Sequence, residues 1–321
     1  MRKIIPINWN TSIDQLDFEV WDRLNGNFWL PEKIPLSNDV KSWQTLTADE
    51  KLATKKVFAG LTLLDTVQNT IGAPVIAQHA LTPHEESVMY QIAYMEGVHA
   101  KSYSSIFSTL CSTEEINEIF RWAEEDELLQ TKANIIIDAY ENADQGVEKA
   151  LIARAASVLL ESFLFYSGFY LPFWFSSRGK LTNTADIIRL ILRDEGVHGF
   201  YIGYKFQQTL KTLDPAKRSL VVGTIENLAL RLYKLECQYA EQIYDDLGWT
   251  ENVKVYLRYN MNKALQNLGM DTIFRDNETR VEASILSSMT VDADENHDFF
   301  SGSGSSYVIG DVEATTDDDW S

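Results

Sequence analysis

Cysteine is nearly absent. The only two, Cys111 and Cys237, show neither C-x-x-C nor metal-ligand spacing. Thiol-pair redox chemistry is therefore excluded, and a reducing compartment suits the chain. Proline is scarce as well, with 7 in 321 residues, mostly between periodic segments. No stretch shows strand alternation with hairpin turns. No uninterrupted apolar run reaches membrane-spanning length, so no membrane partner is expected. Met1 to Pro6 lacks the apolar segment of a signal peptide, which predicts a cytoplasmic protein. Positive charge is the last shortage. The formal charge is −19, and no Lys or Arg follows Arg280. A surface of that sign argues against nucleic acid as a direct partner.

What remains is helix after helix, and the expected class is all-α. An amphipathic segment covers about 11–24, followed by an irregular Phe28-Trp29-Leu30-Pro31 connection. Thr47 and Glu50 form a capping box for a helix ending near Ile71. Thr82 and Glu85 predict a second box, for a helix to about Leu110, and Ser112 with Glu115 a third, for a helix to about Tyr140. Further helices are expected over about 147–175, from near Thr184, from Asp214-Pro215 to near Asp246, and from a Thr250 cap to about Leu268. Residues 1–290 read as one domain. Residues 291–321 read as a flexible acidic tail, with a Gly/Ser linker, an apolar island at Tyr307-Val308-Ile309 and an ending at Trp320-Ser321.

The chemistry lies in a repeat. Glu96-Gly97-Val98-His99 recurs as Glu195-Gly196-Val197-His198. Residues three apart share a helix face, so each Glu and His can reach one ion. Each pair sits in an apolar stripe, where a charge is costly unless neutralised. Asp65 and Glu161 share that predicament within apolar runs of their own. Four carboxylates with two imidazoles make a ligand set whose negative charge two divalent ions cancel. Such a set is already known from ferritin-like bundles, in which two E-x-x-H pairs and two more acids face inward. The oxygen-rich set suits manganese or iron better than zinc.

Tyr103 falls one helical turn beyond His99 on the same stripe, so its phenol is expected beside the ions. Phe165 and Phe169 follow Glu161 at i+4 and i+8, and Ile191 precedes Glu195 by four. These three predict an unreactive apolar jacket that would let a tyrosyl radical persist.

At this point the sequence resembles the small, radical-generating β subunit of class I ribonucleotide reductase, particularly class Ib. The resemblance runs from Phe28-Trp29 through Gly60 to Asp65, Val98 to Ser104, Leu160 to Phe169 and Arg193 to His198, and on to Tyr307-Val308-Ile309-Gly310. It implies Asp65, Glu96 and His99 at one metal, Glu161, Glu195 and His198 at the other, and Tyr103 as the radical residue. It further implies that Asp194 links His99 to Trp29 and that Tyr307 carries the oxidising equivalent on to the catalytic α subunit. The implied cofactors are a dinuclear manganese or iron centre and the tyrosyl radical. The implied partners are the α subunit through the tail, a flavodoxin-like activating protein, and a second copy in a homodimer. The repeats carry glycine at 97 and 196, where the resemblance would place Ser or Glu. Two other readings compete: a ferritin-type metal store, which needs neither Tyr103 nor the tail, and a substrate-oxidising diiron enzyme, which needs an open pocket at the metals.

Overall fold

The computed structural model describes residues 6–11 and 13–290. The expected tail, with Tyr307 and Trp320, lies outside the described residues. Helix α1 (Gln15–Gly26) leads through the Trp29 connection to the short α2 (Val40–Gln44). Then come α3 (Ala48–Val67), α4 (Ala73–Gln78), α5 (Pro83–Leu110), α6 (Thr113–Glu125), α7 (Glu127–Glu141), α8 (Val147–Leu159), α9 (Tyr166–Ser176), α10 (Thr182–Lys211), α11 (Pro215–Tyr244), α12 (Thr250–Asn267) and α13 (Ala283–Met289). No strand occurs among the described residues. The architecture is all-α and ferritin-like, with α3 packed along α5 and α8 along α10.

The capping boxes at Thr47/Glu50 and Ser112/Glu115 form as the sequence predicts. Elsewhere local signals yield to tertiary ones. Thr82 caps α5, but Glu85 turns away from it to accept from the Leu81 amide and to pair with buried Arg154. The helix expected from Ser112 to Tyr140 is two, because Asp126 ends α6 in extended backbone and caps α7 through the Leu129 amide. Thr250 is not a cap; its hydroxyl donates to Asp245.

Helix α3 continues past Ile71 through a π-helical turn, Gln68–Gly72, into α4. Pro74 has no N–H to offer the turn before it, and the wider turn absorbs that loss. A second π turn, Leu160–Leu164, joins α8 to α9. The stretch from Val147 to Ser176 is apolar and long enough to cross a bilayer, but it is enclosed by the other helices and forms the core. At Gly168 a Cβ would sit 2.9 Å from Leu61, so glycine is what lets α9 approach α3.

Helix α10 carries half of the repeat and has no N-cap of its own; Leu181 stands there at φ 48°. Asp39, distant in sequence, replaces the cap. Its carboxylate accepts from the Asn183 amide (3.2 Å), the Thr184 amide (2.6 Å) and the Thr184 hydroxyl (2.7 Å).

Candidate metal centre

Four separate segments deliver the six predicted ligands. Asp65 comes from α3, Glu96 and His99 from α5, Glu161 from the π turn after α8, and Glu195 and His198 from α10. None is more than 1 % exposed. Their donor atoms gather into two groups, Asp65, Glu96, His99 and Glu195, and then Glu96, Glu161, Glu195 and His198. Glu96 and Glu195 thus belong to both. Where the resemblance implies three ligands to each ion, these two groups have two carboxylates in common, and each adds one acid and one imidazole.

The distances support that arrangement. His198 Nδ1 lies 2.8 Å from Glu96 and 3.3 Å from Glu161, while His99 Nδ1 lies 3.0 Å from Glu195. Both oxygens of Asp65, Glu96 and Glu195, and Nδ1 of both histidines, have no hydrogen-bond partner despite full burial. Orphaned buried polar atoms are costly and rare. Here they converge on common points, which two cations would satisfy. The donor chemistry therefore fits a dinuclear centre.

The protonation pattern points the same way. Burial, and then the charge of Glu96, hold Asp65 well above the usual carboxylate range. Burial likewise pushes Glu161 up to about 8, although His198 pulls against it. Burial would raise Glu96 too, but His99 and His198 bring it down to about 2. Both imidazoles rise well above their ordinary value, because the carboxylates around them outweigh burial. Without ions, protons hold the cluster together.

Tyr103 is fully buried, and its hydroxyl has no hydrogen-bond partner. Burial, followed by the charges of Asp65, Glu195 and Glu96, drives its phenol well above its ordinary value. Phe165, Phe169 and Ile191 are all fully buried, with Phe165 and Phe169 packed on each other at 6.0 Å. The ring stacked on Tyr103, at 5.8 Å, is Phe58. Sequence reasoning missed it, although Phe58 precedes Asp65 by seven residues on one stripe of α3.

Trp29 Nε1–H donates to Asp194 Oδ2 (2.8 Å), and the same oxygen lies 3.3 Å from His99 Nε2. Arg193 steadies that end by donating to the Asn27 carbonyl. A side chain at 196 would meet nothing within 4 Å, and one at 97 would press on Asn69. Neither glycine enters the ligand geometry. A further polar network reaches Glu161 from Gln68, Ser157 and Tyr140, none of which the sequence singled out.

The sequence matches the family described as "Ribonucleotide reductase, small chain" over residues 6–281. The ribonucleoside-diphosphate reductase subunit beta nrdF2 of Mycobacterium tuberculosis is 58% identical over 318 residues, covering 99% of this chain and 97% of its own. Ribonucleoside-diphosphate reductase 2 subunit beta of Escherichia coli is 54% identical over 320 residues, covering 100% of this chain and 99% of its own. Among solved structures, the dimanganese(II)-NrdF of Streptococcus sanguinis superposes with a TM-score of 0.86 at 46% identity, over 90% of this chain and all of its own.

Proposed function

The chain belongs to the ribonucleotide reductase small-chain family as the radical-generating β subunit of a ribonucleoside-diphosphate reductase, and we propose that its six buried ligands hold two ions beside a radical-bearing Tyr103. The observation that carries the assignment is the pair of overlapping ligand groups, in which both oxygens of Asp65, Glu96 and Glu195 and Nδ1 of both histidines lack a hydrogen-bond partner. The family also decides against a metal store or substrate oxidase.

The ions supply the one-electron oxidising power that the side chains lack. The chain's own residues do the rest. Tyr103 would give up one electron together with its phenolic proton, and Asp65, the carboxylate that acts most strongly on that hydroxyl, is placed to take the proton. Phe58, Phe165, Phe169 and Ile191 keep water and reductants out, being no more than 1 % exposed. Asp194 couples His99 to Trp29 through a single oxygen, and this bridge is the route by which the oxidising equivalent leaves the cluster. Trp29 is only half-buried and also lines a surface groove of about 440 Å³ with Phe28, Tyr90 and Tyr94.

The small subunit works with a large one, in which the nucleotide is reduced. The tail is its docking segment, and Tyr307 is the relay across the boundary. Manganese is the preferred metal, because the Streptococcus sanguinis relative was solved with two manganese(II) ions; iron is the alternative in the same ligand set. A flavodoxin-like activator, a homodimer and a cytoplasmic location complete the reading. Free thiols at Cys111 and Cys237 support the location.

The test is direct. Metal-free protein should take up about two ions per chain and, once activated, show a tyrosyl signal by electron paramagnetic resonance. Uptake near zero by correctly folded protein, or activation with no tyrosyl signal, would overturn the reading.

A further inference from the structure

Gln68 stands three residues after Asp65, in the first π turn, and is fully buried. Its amide nitrogen donates to Ser157 Oγ (2.7 Å) and to Glu161 Oε1. Its amide oxygen accepts from the Tyr140 hydroxyl (2.7 Å). A carboxamide is a donor at one end and an acceptor at the other, so its neighbours choose which end points where. Reversing this one would set its oxygen against Glu161 Oε1 and deprive the Tyr140 hydroxyl of its acceptor. Gly72 makes room for the arrangement. A Cβ there would collide with Gln68 Oε1 and lie 2.7 Å from two ring carbons of Tyr140.

The consequence falls on Glu161. Its Oε1 is engaged by Gln68 and, at 3.3 Å, by the Ser157 hydroxyl. Its Oε2 has no hydrogen-bond partner and faces His198 Nδ1 at 3.3 Å. A carboxylate free at both oxygens can chelate one ion or bridge two. One held by an amide donor offers a single oxygen in a fixed direction.

We propose that Tyr140 and Gln68 are positioning residues that reserve Oε1 of Glu161 for hydrogen bonding and leave Oε2 as the oxygen presented to the ion beside His198. The inference deepens the dinuclear reading and rests on it. Tyr140 reaches Glu161 through Gln68 and the Ser157 hydroxyl, so neither Tyr140 nor Gln68 touches the reacting atoms.

The experiment titrates Mn²⁺ into metal-free, full-length protein and follows affinity, stoichiometry and the electron paramagnetic resonance spectrum of the dimanganese(II) form. The parent is compared with Tyr140→Phe, Gln68→Leu and a packing control, Tyr244→Phe. The control removes an equally buried hydroxyl, one that donates to the Ser167 carbonyl (2.6 Å) and has no part in this network. Parent and control should take up both equivalents alike and share one spectrum. In Tyr140→Phe, one of the two equivalents should weaken roughly 10- to 100-fold, the usual cost of losing a partner of a metal ligand, and the spectrum should change. Gln68→Leu should do the same to a greater extent; where that variant does not fold, Tyr140→Phe decides alone. Parental affinity and spectrum in Tyr140→Phe would overturn the proposal. So would an equal weakening in Tyr244→Phe, since the hydroxyl would then matter only for packing. A parent that takes up no manganese fails the dinuclear reading itself, and the parent titration alone reveals that.

Discussion

Tyr103 and Phe differ by one oxygen, and that oxygen is orphaned in a fully buried site. Tyr103→Phe removes that one hydroxyl and should retain fold and metal content. It should abolish both the tyrosyl signal and turnover in the presence of the α subunit; normal turnover would remove Tyr103 from its role. Glu161 sets a pH dependence. Its raised carboxyl holds a proton at neutral pH in metal-free protein, whereas an ion needs the bare carboxylate. Metal binding should therefore expel protons below about pH 8 and expel fewer as the pH rises past that value. By the same sign, the metal-free fold loses stability as the pH climbs from the unfolded carboxyl range toward about 8. Calorimetry in buffers of different ionisation enthalpy measures the release. A release that did not vary between about pH 6 and about pH 9 would contradict this account.

At the level of elements, the notable case is α10, a helix of 30 residues whose start is fixed by a carboxylate from elsewhere in the chain. Asp39 is 2 % exposed and satisfies two backbone amides and a hydroxyl. Asp39→Ala should cost roughly 2 kcal/mol in denaturant unfolding, the upper range for an N-cap. Because Asp194, Glu195 and His198 ride on that helix, metal uptake should weaken along with stability. A loss below about 0.5 kcal/mol would show that Ser42, which accepts from the Leu181 amide, suffices as the cap. The two π turns belong to the same scale. The first begins three residues after Asp65 and the second contains Glu161, and each inserts a residue that re-aims the side chains around it.

The whole molecule has two tasks that mutation should separate, making the oxidising equivalent and delivering it. Deleting residues 311–321 should weaken association with the α subunit, with activity partly restored at high α concentration. Tyr307→Phe should bind α almost normally and keep the Tyr103 signal, yet show no turnover at any α concentration. Binding assays set beside steady-state kinetics distinguish the two. Normal reduction by Tyr307→Phe at saturating α would make Tyr307 part of the docking peptide and nothing more.

The sequence by itself determined the class and the family, and it singled out the six residues proposed as ligands. Asp65, Glu96, His99, Glu161, Glu195 and His198 were legible because burying a charge is costly, and acids without cations in apolar stripes announce a shared ion. Tyr103 was legible because helical periodicity carries one stripe from ligand to phenol. Periodicity relates residues only along one helix, and contacts between helices were beyond its reach. That Glu96 and Glu195 belong to both donor groups, that Phe58 stacks on Tyr103, and that Asp39 caps α10 each join residues of different elements. The split at Asp126 and the turning of Glu85 toward Arg154 had the same origin, since a partner from elsewhere outweighed a local signal. The Tyr140–Gln68–Glu161 chain is the clearest instance. Three helical segments meet there in a space that exists only because residue 72 has no side chain, and only packing could have brought them together.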